Sequence, residues 1–281
     1  MNEDMCKFFE VIWNDFPDTL DDDRNYKFNN DQICETYCDK TCDNNCKTDD
    51  DKIMAGWISL LKTFYESGLI NDYAPNNMNI GEYIIIWLIY MLKLKDDNTI
   101  IKLSEKYNEY IDNRGGYSLF STDQDYSDMI VKLIVNKNYL VDMDKNIISN
   151  FYEAFKILCS MYNDINSDPS DCSKYFTKAK EFSDKYQNLL NNNNINNGDS
   201  SYSQILSTLS TDYKNFKSYC AENCGGCREI PSNLDAITTQ ISVEIPVVIS
   251  EAISSSSSIS SKLIPALLVF VIPVFLGVSY K

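Results

Sequence analysis

The chain is 281 residues long and 44% hydrophobic, with a formal net charge of -16 and no histidine. That composition suffices to bury a core, and the negative charge argues against nucleic acid as a partner, because phosphate backbones are bound by clustered Lys and Arg. Without histidine the commonest general base, the commonest zinc nitrogen ligand and every His-dependent triad are lost. The first twenty residues, MNEDMCKFFEVIWNDFPDTL, have neither a basic n-region nor an unbroken apolar h-region, so they form no conventional signal peptide. Behind the acids at 49–51, Ile53, Met54, Trp57, Leu60, Leu61, Phe64 and Tyr65 recur at three- and four-residue steps, which predicts a helix with Gly68 at its C-terminal cap. The apolar run from Tyr83 to Leu92 is closed by Lys93 and Lys95. At about ten residues it is too short to span a bilayer and reads as the central buried helix.

Arg114-Gly115-Gly116 reads as a turn between helices. The stripe Ile147, Ile148, Phe151, Phe155, Leu158, Cys159 and Tyr162 predicts a helix from Asp144 to Asp164, followed by a loop with Pro169. Cys172, Tyr175, Ala179, Phe182, Tyr186 and Leu189 then repeat at helical spacing, as do Tyr202, Leu206, Leu209, Tyr213, Phe216 and Cys220 after an Asn-rich linker over 191–200. The two segments read as an antiparallel hairpin over 171–220. No segment shows sustained two-residue alternation bounded by turns, so the expected fold class is all-α. Trp57, Trp87, Phe151 and Phe155 are the expected core.

The domain plan that follows is a helical, cysteine-rich ectodomain over 1–227, a Ser-rich stalk over 228–262 and a transmembrane helix over 263–280. The last segment, LIPALLVFVIPVFLGVSY, is uncharged between Lys262 and Lys281, long enough to cross a bilayer, and its two prolines are better tolerated in lipid than in a soluble core.

Ten cysteines are present. Cys6 stands apart; Cys34, Cys38, Cys42 and Cys46 form one group, Cys159 and Cys172 a second, Cys220, Cys224 and Cys227 a third. Disulfides are the expected state in an extracytosolic domain, with a Cys-only zinc site as the alternative if the 34–46 segment is a loop. In the hairpin, counting outward from Leu190 opposite Ser201 places Cys172 level with Cys220, which predicts a disulfide between them. The competing pairings are Cys159 with Cys172 and Cys220 with Cys227. The CGGC string over 224–227 has thioredoxin-type spacing, but no strand precedes it and no βαβ pattern surrounds it. Acid runs at 21–23 and 49–51, and the string STDQDYSD over 121–128, read as solvated loops; the last fails as a calcium loop because Asp128 stands at the glycine position and no Glu closes it. No nucleotide, hydrolase or cofactor motif is present, so the expectation is a non-enzyme without a cofactor.

Four strings carry a resemblance: ICETYCDKTCDNNCKTDDDKIMAGWISLLKTFYES, NIGEYIIIWLIYMLKLK, ISNFYEAFKILCSMYNDI and SYSQILSTLSTDYKNFKSYC. In this order, over the chain from Cys6 to the apolar C-terminal segment, they resemble the Plasmodium interspersed repeat (PIR) family, the Cir/Bir/Yir variant antigens of malaria parasites. The resemblance implies a single-pass surface protein of the parasite or infected red cell. It also implies antigenic variation, immune evasion and a host surface or serum component as partner, with the N-terminal helical domain outside and no catalytic site. Family members continue past the membrane segment into a short basic tail, whereas this sequence ends at Lys281. Two other classes compete: a tail-anchored protein with a cytosolic helical domain, and a thiol oxidoreductase using Cys224 and Cys227. Oxidised cysteines would favour the surface protein over the cytosolic tail-anchored domain.

Overall fold

The computed structural model describes residues 1–38, 45–70, 78–95, 102–113, 124–167, 174–191 and 200–224. Cys42, Cys172, Cys227, the turn at 114–116, most of the Asn-rich linker, the stalk and the segment over 263–280 lie outside them. Among the described residues the chain is all-α, and no helix is long and apolar enough to cross a membrane.

The first helix, α1 (Glu3–Asp15), lies where the sequence reading places no element. Asn2 caps it, its side chain accepting from the Met5 N–H at 3.0 Å, and its inward face is Met5, Cys6, Phe9 and Ile12. A short α2 (Asp31–Tyr37) follows, capped by Asn30. In α3 (Asp49–Glu66) Thr48 and Asp51 form a capping box. Asp49, Asp50 and Asp51 are therefore the first turn of a helix and not a loop, a position where acids complement the exposed N–H groups. At its far end Gly68 takes φ 73 while its N–H donates to the Tyr65 carbonyl, a left-handed stop that glycine adopts without a steric penalty.

The next helix, α4 (Met78–Lys93), contains the run from Tyr83 to Ile89, no residue of which is more than 1% exposed. It is apolar all round because it is covered all round. Three amphipathic elements come next: α5 (Leu103–Asn113), α6 (Gln124–Asn136) and the long α7 (Lys145–Ser167). Asp125 and Asp128 lie on α6, so that part of the acidic string is helical and not a loop. The last pair is α8 (Lys174–Leu190) and α9 (Ser200–Asn223).

The hub of the bundle is α7, against which α1, α4, α8 and α9 all pack, α8 most extensively. The hub's Phe155 ring stacks on Tyr83 of α4 at 4.4 Å and meets Phe9 of α1 edge-on at 4.7 Å, while Phe9 reaches Phe64 of α3 at 5.6 Å. Four helices thus share one aromatic cluster. Trp57, Trp87, Phe151 and Phe155 are each 0% exposed, and burying a side chain of this kind stabilises by about 1.5–3 kcal/mol. Between α3 and α4 the approach is close: a Cβ on Gly56 would stand 3.1 Å from Cη2 of Trp87 and 3.2 Å from Cδ1 of Phe16. The final pair runs antiparallel. Tyr175 meets Phe216 at 6.0 Å near one end, and the Tyr202 hydroxyl donates to the Leu189 carbonyl at 2.7 Å near the other.

Candidate functional site: a disulfide frame and a buried polar seam

Disulfides tie together elements that are remote in sequence. Cys6 on α1 is bonded to Cys159 on α7, 153 residues away, with Cα atoms 4.9 Å apart and both residues fully buried. This overturns the alternative pairing of Cys159 with Cys172 and gives Cys6 a partner that sequence grouping does not. Its physical reason is the packing of α1 on the hub, which brings two apolar stripes into register. A second bond joins Cys38, the C-cap of α2, to Cys46 just before α3, with Cα atoms 5.9 Å apart. Cys34 lies one turn back on α2, its sulfur 3.7 Å from that of Cys38. Cys34, Cys220 and Cys224 are also disulfide-bonded, and among the described residues no cysteine is free. The predicted Cys172–Cys220 bond and the Cys224–Cys227 motif each include a cysteine outside the described residues.

Among the described residues three acids are buried, Asp18, Glu82 and Asp212. Asp212 of α9 is 0% exposed, accepts from the Tyr83 hydroxyl at 2.8 Å, and pairs with the α-ammonium of Met1. One residue before Tyr83, Glu82 accepts from Thr208 of α9 at 3.0 Å, from the Tyr139 hydroxyl, and from Lys137 at 3.5 Å. Successive residues of α4 therefore bond to positions one turn apart on α9, forming a polar seam through an otherwise apolar interface. The third acid, Asp18, accepts from Tyr152 at 2.5 Å and Lys156 at 2.6 Å, and Lys156 also lies over the Trp13 ring at 5.3 Å. Each carboxylate has the donors that a buried charge requires.

These partners set the titration of the tyrosines. Burial first, then the Asp212 charge, holds Tyr83 well above its ordinary value, and burial with Asp18 does the same to Tyr152. Burial pushes Tyr90 and Tyr186 up to about 12. Lys93 shifts downward because burial disfavours its charge, while its Nζ donates to the Val141 carbonyl at 2.9 Å. Burial, with the neighbouring acids second, keeps Tyr83 and Tyr152 protonated, and their hydrogen bonds to Asp212 and Asp18 join the helices. Among the described residues no cluster of three or more Cys, Asp or Glu could hold a metal ion.

Sequence reasoning missed Cys6, Asp18, Glu82 and Asp212. A signal existed for Asp212, an acid on the apolar stripe of Ile205, Leu209 and Phe216. On the outer surface, Val131 and Val135 lie one turn apart on α6 at 51% and 67% exposure. A groove of about 790 Å³ opens between the 17–31 segment, α2 and the start of α3, lined by Lys27, Lys47, Lys52, Asp21, Cys34 and Cys46 among others.

Comparison with known proteins points in one direction. The family model described as Plasmodium variant antigen protein Cir/Yir/Bir matches residues 6–281. Among solved structures, the chain is similar to a Plasmodium PIR protein ectodomain with a TM-score of 0.59 and 30% sequence identity, covering 79% of this chain and 94% of that one. No curated protein matches.

Proposed function

The chain belongs to the Plasmodium Cir/Yir/Bir variant antigen family, and from that premise we propose that it is a membrane-anchored variant surface antigen. Its helical ectodomain meets a host surface or serum component and takes part in antigenic variation and immune evasion. The observation that carries this reading is the disulfide frame on the helical bundle. Cys6–Cys159 and Cys38–Cys46 are oxidised pairs, which persist in secretory and extracellular spaces and are reduced in the cytosol. The same pairs weigh against a cytosolic tail-anchored domain. The similar solved structure is itself an ectodomain.

On this reading residues 263–280 form the single membrane helix, since an uncharged run of this length satisfies its backbone in lipid as a helix. The ectodomain faces outward. Two measurements test the proposal. Protease shaving of intact infected cells should remove ectodomain peptides; their survival until the cells are permeabilised would place the domain inside. Alkaline carbonate should leave the full chain in the membrane pellet, whereas a chain ending at Ser261 should move to the supernatant, and co-extraction of both would remove the anchor.

A further inference from the structure

Beside Asp18 two aromatic rings face one ammonium. Asp18 is buried, and its Oδ2 accepts from the Tyr152 hydroxyl at 2.5 Å and from Nζ of Lys156 at 2.6 Å. The same Nζ lies 5.3 Å from the centroid of the Trp13 ring and 6.0 Å from that of Tyr152. Tyr90 stacks on Tyr152 at 4.1 Å and donates to the Asp18 carbonyl at 3.3 Å, which backs the box. Its carboxylate and its inner ring are fixed by burial, but its occupant is not. Lys156 keeps 40% of its side chain exposed, and an ion pair with so exposed a partner contributes little. A buried carboxylate needs a cation beside it, whichever molecule supplies that cation.

The lysine ammonium also leaves the rings underused. Drawn to the carboxylate, it stands toward the outer limit of the cation–π range, about 6 Å. A trimethylammonium group has no N–H to donate and stands back from Oδ2. Its methyl carbons, about 1.5 Å from the nitrogen, would meet the ring faces at about 4 Å, van der Waals range. Access is from a groove of about 260 Å³ between α7 and α8, which Lys156 lines with Glu153 and Glu181 and which Trp13 and Tyr152 do not reach. Glu153, already paired with Lys185, precedes Lys156 by three residues on α7, the spacing at which side chains of one helix meet.

We propose that Asp18, Trp13 and Tyr152 form a binding site for the trimethylammonium group of a choline-type ligand, which enters from this groove and takes the place of the Lys156 ammonium. Lys156 is the built-in occupant: it neutralises Asp18 in the empty site and turns toward Glu153 when displaced. Binding exchanges one cation for another, so the buried carboxylate is never left without a counter-charge. The ligand can be a free choline-type cation or a phospholipid head group. Lys156 tells the two apart, because its displaced ammonium meets the phosphate of a head group and finds no such partner on free choline.

The test uses the full chain in a detergent without choline, with tetramethylammonium as the probe and sodium at equal ionic strength as the control, read by tryptophan fluorescence and by the thermal midpoint. Tetramethylammonium should bind saturably and raise the midpoint, and sodium should do neither. Lys156→Ala should tighten tetramethylammonium by about two- to five-fold, the scale of the exposed pair it removes. Trp13→Leu should weaken it by about three- to thirty-fold, the scale of one cation–π contact. The midpoint shift reports binding even in a variant that is itself less stable. Glycerophosphocholine binding the parent more tightly than choline, with the advantage lost in Lys156→Ala, assigns the site to a head group; choline binding as tightly or more tightly assigns it to the free cation. Three outcomes would overturn the proposal: no difference between tetramethylammonium and sodium, equal affinity of the parent and Lys156→Ala, or undiminished affinity in Trp13→Leu.

Discussion

The α-ammonium of Met1, a half-buried residue, forms an ion pair with the fully buried carboxylate of Asp212. Asp212 also receives the Tyr83 hydroxyl, so one carboxylate joins the start of the chain, α4 and α9. Replacing Asp212 by Ala leaves the buried Tyr83 phenol without its acceptor and the half-buried ammonium without its counter-charge, and the expected loss is about 1–3 kcal/mol of unfolding free energy. Urea denaturation of the full chain measures it. A midpoint equal to the parent's would mean that the ammonium is solvated.

Raised tyrosines make the fold sensitive to alkali. A tyrosine whose folded value lies above its unfolded value of 10 contributes stability that is fully present below pH 10 and is lost as the pH rises through the folded value. For fully buried groups such as Tyr83 and Tyr152, the loss is about 1.4 kcal/mol per pH unit for each phenol. Ultraviolet titration of phenolate should show exposed tyrosines ionising near pH 10. The buried set should appear only with loss of the helical circular dichroism signal, in one cooperative step. A smooth titration with the helical signal intact would contradict the burial.

Gly56→Leu tests the contact between α3 and α4. A Cβ alone already meets Trp87 and Phe16 at 3.1 and 3.2 Å; a branched side chain there must push the helices apart or force rotamers. The expected cost is about 1–3 kcal/mol or more, read as a lower thermal midpoint, while Gly68→Leu should act through its positive φ with no steric contact.

The two disulfides should differ in what their removal does. By loop-closure entropy, losing Cys6–Cys159 through a double Ser variant costs about 4–5 kcal/mol, against about 2–3 kcal/mol for Cys38–Cys46. Denaturation of the two double variants side by side checks the order, and equal losses would contradict it.

Much of the bundle is legible in the sequence because its helices bury one stripe each. The stripes through Trp57, Phe155, Phe182 and Leu209 state their period directly, and the unbroken run around Trp87 marks the helix with no solvent face. The first helix carries the same kind of stripe, Met5, Phe9, Ile12 and Phe16 at four- and three-residue steps, in a segment that the sequence reading weighs only as a leader. Glu82 and Asp212 are hidden for a different reason. Glu82 looks like a solvent-facing acid and Asp212 stands out only as an acid on an apolar stripe; the tertiary placement of Thr208, Tyr83 and Met1 supplies their donors. Cysteine pairing is of the same kind: spacing groups Cys159 with its sequence neighbour, whereas packing gives it Cys6.

The Cys6–Cys159 bond also imposes an order of events on biosynthesis. A chain made from its N-terminus exposes Cys6 first, and the cysteines between 34 and 46 follow long before the 153-residue gap to Cys159 is filled. Cys6 must therefore wait through most of the ectodomain's synthesis, with nearer thiols available as wrong partners. Any bond that Cys6 forms earlier must be reshuffled by thiolate attack after the hub helix has emerged, so the native frame closes late, once residues 6 and 159 are both in place.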